Sequence, residues 1–490
     1  MTGPAHHPAG SLRAHAVRGT TAALVAQGAK FAIYFGVGVV LARLLSPEDF
    51  GLFAIAFAVT GFLEFAKDGG MVVPVVQTET LSSEELDTLF WFNAGMGLLV
   101  TLIAVAAAPI IARMYGDPRL AAITSALALI FLAGGLATQH VALLRRQMRF
   151  TALGCCEVIA LSIAAAIAIV AALRGARYWA LVIFQLAREV VQTILVIALT
   201  RWLPVWPSRW ASIGPLVRFG GLMMVFDVIG YFNLKFDNLV VGWFAGPAAL
   251  GFYDKAYQFL LIPVNQVNAP LSTVVHSTLS RLQREPERYR AYLDRALLLA
   301  TGLGLPIIAF VYANADAIMR TLFGAQWVPA APIFRALTPA AACMVVTACV
   351  GWIFLSLGRA TRQLPWTVFT AAVSVGGFVV GARWGAVGVA TALSVTRVAL
   401  LLPTLWFTCH GTPVSPLSPL STTMRPLVAS GLALVASLAM DTVFSPGAWT
   451  LVRNGVVFAA VYQLAWVAMP GGLTLVRENL LLARTLYRNP

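Results

Sequence analysis

Charge is scarce in this chain. Asp, Glu, Lys and Arg make up 11% of 490 residues, apolar types make up 59%, and mean hydropathy is +0.81. A soluble domain carries about 25% charged residues, so the composition excludes an ordinary water-facing surface. Cysteine is equally sparse: Cys155, Cys156, Cys343, Cys349 and Cys409 all fall in or at the ends of apolar runs. No pair spans an outer loop, which excludes a disulfide scaffold, and adjacent Cys155 and Cys156 read as small packing residues. The phosphate-binding GxxxxGK[ST] loop, HExxH and CxxC are all missing. His6 and His7 form a pair only in a terminal tail, and no metal site is expected there. The longest clear loop, residues 410–423, is too short to hold a catalytic domain or the large outer loop of a membrane glycosyl polymerase. Neither an enzyme nor a bound cofactor is therefore expected. No cleavable signal is expected either, because the first apolar run is too long and lacks a cleavage site.

What remains is long apolar runs. A membrane-crossing helix needs about 20 mostly apolar residues, and fourteen segments qualify. They are residues 20–45, 50–77, 88–115, 119–144, 152–173, 178–200, 213–245, 250–279, 291–323, 329–357, 365–382, 386–409, 424–444 and 449–470. With the N-terminus inside, 18 Lys/Arg fall in inner loops and span ends and 8 in outer ones. Positive charge stays on the cytoplasmic side, so both termini are expected in the cytoplasm. The net charge of +14 then reflects topology and anionic lipid, and nucleic acid is not an expected partner.

One block recurs. Val40–Ala56 reads VLARLLSPEDFGLFAIA, and Val240–Ala256 reads VVGWFAGPAALGFYDKA. The offset of 200 pairs Pro47 with Pro247, Gly51 with Gly251, Phe53 with Tyr253 and Ala56 with Ala256. Weaker echoes pair Gly175–Tyr178 with Gly381–Trp384, and Tyr115–Gly116 with Phe323–Gly324. Duplicated halves in an apolar chain point to a transporter with its site between the repeats. The expected fold is all-α. It has two six-helix lobes related by a pseudo-two-fold along the membrane normal, and two further C-terminal helices. The N-lobe covers residues 1–200, a Pro/Trp-rich connector 201–212, the C-lobe 213–409, a loop 410–423, and the last pair with its tail 424–490.

Sixteen ionisable groups fall inside the spans. Each costs roughly 2.5–3.5 kcal/mol facing lipid at mid-depth, and a fold has only about 5–15 kcal/mol of net stability. Most must therefore pair, reach an interface or face water. Ten of the sixteen lie on spans 1, 2, 7 and 8, the first two of each repeat, which a water-filled cleft would explain. Lys30, about ten residues into span 1, admits two readings: cavity lining or an ion pair. Glu64, Lys67 and Asp68 share one stretch of span 2, and Lys67 can pair with Glu64 at i,i+3. That group serves equally as a structural network or a coupling site. Asp227 has no basic neighbour one turn away on its helix, which favours a functional carboxylate. Lys235, Asp237 and Lys255 complete the candidates. Asp316 reads as the partner of Arg320. Arg188–Glu189, Arg335 and Arg397 read as packing or ion-pair residues. Pro263 and Pro270 flank a polar stretch of span 8 and suit either a hinge or a static bend.

LARLLSPEDFGLFAIA, FDNLVVGWFAGPAALGFYDKAYQF and FGAQWVPAAPIFRAL together resemble polysaccharide-export flippases of the Wzx type. These belong to the multidrug/oligosaccharidyl-lipid/polysaccharide superfamily. Asp237, Gly242, Gly251, Tyr253 and Ala256 stand where that family's D-x-x-x-x-G…G-x-Y-x-x-A pattern expects them. The likeness covers about residues 18–409. It implies alternating-access transport of undecaprenyl-diphosphate-linked oligosaccharide across the bacterial inner membrane, alongside polymerase or export machinery. It also implies cations on spans 1, 2 and 8 that meet the diphosphate. Lys30, Lys67 and Lys255 occupy those spans, with Lys235 nearby, and Glu64, Asp68, Asp227 and Asp237 are the carboxylates that would couple transport to Na⁺ or protons. Lipid II flippases and multidrug or cation exporters of the same superfamily are the alternatives.

Overall fold

A computed structural model describes residues 9–67, 75, 82–206, 213–443 and 449–469. Asp68 lies outside them. Among the described residues every regular element is helical: α1 (Ala9–Leu44), α2 (Pro47–Thr60), α3 (Leu63–Lys67), α4 (Ser83–Tyr115), α5 (Arg119–Arg146), α6 (Phe150–Leu173), α7 (Trp179–Thr200) and α8 (Gly214–Arg281). There follow α9 (Pro286–Ala313), α10 (Ala315–Ile318), α11 (Ala331–Val346), α12 (Ala348–Ser356), α13 (Ala360–Gly381), α14 (Gly385–Cys409), α15 (Ser418–Val443) and α16 (Thr450–Ala468). Nine helical segments among the described residues are long and apolar enough to cross a membrane. One of them, Thr361–Cys409, joins two expected spans. The four expected spans outside this set are 1, 2, 7 and 8, the charge-rich ones. Outward faces carry exposed Leu102, Ile110, Leu173 and Val435, as a helix solvated by lipid requires.

Local chemistry sets the boundaries. Ser46 caps α2: its hydroxyl accepts the Asp49 N–H while the Asp49 carboxylate accepts the Ser46 N–H, a reciprocal cap that satisfies two end donors. Ser82 and Glu85 repeat the device at α4. The second expected span is broken, ending as α2 at Thr60 and resuming as α3 at Leu63. The Tyr231 hydroxyl donates toward the Phe57 and Ala58 carbonyls, at 3.1 and 2.9 Å, just before this break. Spans 7 and 8 run together as α8, but Gly246 has φ 82° and ψ 175°, a conformation open to glycine and not to a residue with a Cβ. The ninth expected span likewise stops at Ala313, followed by α10 and a π-helical turn over Met319–Phe323.

The chain divides into two compact units, Met1–Gly251 and Phe252–Pro490. In the first unit α5 packs between α4 and α7, while α6 joins α1 to α7. The two Pro-x-x-[FL]-Gly turns meet there reciprocally. A Cβ on Gly51 would strike the Pro247 carbonyl, and one on Gly251 would strike that of Pro47. Glycine at both positions is thus explained by close backbone approach.

In the second unit α15 packs on α9 and on α16. Buried Asn454 donates to Asn314 and Asp441 at 2.7 and 2.9 Å, and Asn314 donates to Ser437 at 3.3 Å. Tyr462 donates to the Gly302 carbonyl at 2.8 Å. A satisfied buried polar network fixes one packing arrangement. The helices set apart in sequence by a Pro/Ser-rich break are therefore anchored to this unit.

Candidate functional site

Four helices of the first unit enclose a cavity of about 330 Å³. α1 supplies Lys30 and Tyr34, one turn apart on one face. α3 supplies Glu64 and Lys67, α6 supplies Glu157 and Leu161, and α7 supplies Arg188, Glu189 and Gln192. Three cations and three carboxylates therefore line one space. Each cation has a carboxylate within ion-pair range on another helix or beside it. Lys30 Nζ lies 2.6 Å from Glu157, Lys67 Nζ lies 3.2 Å from Glu189 and 3.4 Å from Glu64, and Arg188 lies 3.6 Å from Glu189. Arg188 also donates to the Tyr34 hydroxyl, and the Tyr34 ring stands edge-on to Phe184 with centroids 6.0 Å apart.

Burial grades these pairs. The Lys67 and Glu189 side chains are 8% and 12% exposed, those of Lys30 and Glu157 27% each, and Glu64 39%. Lys67 reaches its place because α5 presents Gly134 to it: a Cβ there would lie 2.6 Å from Nζ. Taking one partner from a buried pair costs about 3–5 kcal/mol, since the other charge stays desolvated. Lys67 and Glu189 thus tie α3 to α7, while the more exposed members keep access to water. The arrangement can hold an anion on its cations or a cation on its carboxylates.

The family model for polysaccharide biosynthesis proteins matches residues 40–332, more than half the chain. The chain belongs to the polysaccharide biosynthesis protein family. Among curated relatives, the lipopolysaccharide biosynthesis protein WzxC of Escherichia coli (strain K12) is 23% identical over 75% of this chain and 76% of its own length. The succinoglycan biosynthesis transport protein ExoT of Rhizobium meliloti (strain 1021) is 27% identical over 84% of each. The inward closed lipid II flippase MurJ superposes with a TM-score of 0.71 at 15% identity, covering 91% of this chain and 98% of that one. An inward-facing MATE-family transporter of the MOP superfamily gives 0.59 at 14%, covering 78% and 95%. The two solved structures show the fold, which is that of MurJ and of the MATE-family protein, as the sequence resemblance implies.

In this polysaccharide biosynthesis protein, the cavity gathers Lys30, Lys67 and Glu64 from the expected set and leaves others elsewhere. Asp68 lies outside the described residues. Asp227 sits in α8, with its side chain outside the described set, and Lys235 is half-buried on the same helix. Asp237 is buried and its carboxylate accepts the Asn238 N–H at 2.8 Å. Lys255 belongs to the second unit, where it is buried beside Asp254 with its ammonium 5.9 Å from the centre of the Phe323 ring. The expected Asp316–Arg320 partnership is replaced by Asp316–Arg335, because the π-helical turn after α10 interrupts the regular helical spacing on which the Arg320 pairing relied.

Glu157, Tyr34 and Gln192 are absent from the expected site, and Arg188 and Glu189, expected as packing or ion-pair residues, do form ion pairs and line the cavity as well. One signal was available for Glu189. It, Lys30 and Lys67 all lie about ten residues from the inner ends of their expected spans, so charges of opposite sign share one depth.

Proposed function

We propose that this protein flips polyprenyl-diphosphate-linked oligosaccharide repeat units across the bacterial inner membrane, for the building of exopolysaccharide or O-antigen. The observation that carries this reading is the convergence of Lys30, Lys67 and Arg188, from three helices, on one water-accessible cavity. Ammonium and guanidinium groups are the side chains that bind phosphate, and intramembrane charges mark substrate and ion pathways. The family membership and the names of the relatives support the polysaccharide context. The glycan is hydrophilic and crosses through the protein, while the prenyl chain stays in lipid. Lys235 and Lys255 are the further cations on the headgroup's path. No bond of the substrate is made or broken, so the protein acts as a carrier and not as an enzyme. Both termini face the cytoplasm. Glu64, Asp68, Asp227 and Asp237, with the cavity carboxylates, provide for coupling to protons or Na⁺.

Deletion tests the reading. In the null strain, lipid-linked repeat units accumulate on the cytoplasmic leaflet and polymer export stops. Repeat units that still reach the outer leaflet at the parental rate would overturn it. Lys30→Ala and Lys67→Ala should reproduce the block with protein still inserted, whereas Arg at either place should retain much more export.

A further inference from the structure

Among the described residues the cavity lining is balanced, three cations against three carboxylates. A diphosphodiester carries two fixed negative charges, so seating it there leaves the site net negative unless the lining gives up negative charge of its own. At these separations and low local dielectric that imbalance is costly.

The carboxylates are not held alike. Glu189 is 12% exposed and touches both Lys67 and Arg188. Glu64 is 39% exposed and meets Lys67 at the longer distance of 3.4 Å. Glu157 is 27% exposed and meets Lys30 at 2.6 Å. Every one of them faces space in which phosphate oxygens would compete for the same ammonium groups.

Resting on the headgroup reading above, we propose that Glu157 and Glu64 are displaceable counter-anions. They neutralise Lys30 and Lys67 while the cavity is empty, then each takes a proton and turns aside as phosphate oxygens replace them. Glu189, which touches both Lys67 and Arg188, holds them in place. The balance is simple: a carboxylate and a proton from cavity water give a neutral carboxyl, and no other bond changes. Among the described residues the groups facing these two are Lys30 and Tyr34 from α1, Lys67 from α3, and Arg188 and Glu189 from α7. No titratable residue of α5 lines the space. Headgroup entry from one side of the membrane thereby draws in protons, and release on the other returns them.

The test is calorimetric titration of the purified full-length protein with two diphosphodiesters, P1,P2-dimethyl diphosphate and farnesyl-diphosphate-linked N-acetylglucosamine. Neither probe changes charge between about pH 6 and about pH 8. Parental protein should bind more tightly at the lower pH, with proton uptake read from buffers of different ionisation enthalpy. Glu157→Gln and Glu64→Gln should each bind roughly tenfold tighter at the upper pH, as expected for removing one nearby negative charge. The double variant should lose the proton uptake. A response to the farnesyl probe alone assigns the site to lipid-linked headgroups, and a response to the dimethyl probe alone to free diphosphate. If the glutamine variants bind no tighter while Lys30→Ala and Lys67→Ala bind more weakly, the counter-anion role is wrong and the headgroup site stands. If the alanine variants bind like the parent, both fall.

Discussion

The two repeat blocks share their Pro-x-x-[FL]-Gly turns and differ in charge. At an offset of 200, Pro47, Gly51 and Ala56 recur as Pro247, Gly251 and Ala256. The charges do not recur. At the same offset Lys67 and Glu64 correspond to Val267 and Val264, Lys255 and Asp254 to Ile55 and Ala54, and Lys30 to Gly230. In the first unit the lysines sit in a cluster with carboxylates around a cavity. In the second, Lys255 is buried beside Asp254 over an aromatic ring. Duplication thus preserved what close backbone packing demands, while the charged positions diverged, because a desolvated charge needs its own local partners.

The largest effect expected from this contrast is at Lys67. Lys67→Ala should destabilise the protein by about 3–5 kcal/mol, because Glu189 stays buried with less compensation. Replacing Lys255 and Asp254 together by Met and Asn should cost about 1 kcal/mol or less, since uncharged side chains of similar volume can replace a buried charge pair. Thermal unfolding in detergent separates them, and equal losses would erase the distinction between the two lysines. Next come the turns. Gly51→Ala and Gly251→Ala should each destabilise by about 1–3 kcal/mol through overpacking against a proline carbonyl. Tolerance at one and failure at the other would break the reciprocity of the two turns.

The smallest effect is at the loop between α4 and α5, where Arg119 bonds Asp117 at 2.7 Å and Glu48 at 2.6 Å. The hydrogen bond from the Arg119 side chain holds the Asp117 carboxyl below its ordinary range. A depressed carboxyl contributes stability that is present above its unfolded pKa and lost as pH falls through the folded value. Asp117→Asn should cost about 1 kcal/mol at neutral pH, as for a partly exposed ion pair. It should also remove an acid-sensitive part of stability below about pH 4. An unchanged acid limb in the unfolding profile would count against the pairing.

Much of the scaffold was legible residue by residue. Ser46 and Pro47 announce a helix start, Gly246 before Pro247 announces a break, and long apolar runs announce helices that live in lipid. Two interruptions were not. The gap between α2 and α3 coincides with hydroxyl contacts from Tyr231, more than 170 residues away in the chain, and the π-helical turn before Gly324 lies inside a stretch that reads as one span, residues 291–323. The site was half legible. Lys30, Glu64 and Lys67 stood out because ionised groups are rare in spans, but nothing in their spacing named Glu157 as the partner of Lys30. Hydrophobic periodicity normally reports which face of a helix turns inward. Here it is muted, because lipid and protein interior are both apolar and both faces of a span look alike.

What the amino-acid sequence determined by itself was the solvent, the helical spans, the repeat with its Pro and Gly turns, and the short list of charges that could not face lipid. Tertiary structure alone decided how those charges combine. Whether Lys67 meets Glu189 depends on the rotation of α3 and α7 about their axes and on the slot left by Gly134 on a third helix. An ion pair is a matter of a few ångströms in space, and the two residues of this pair lie 122 apart in the chain.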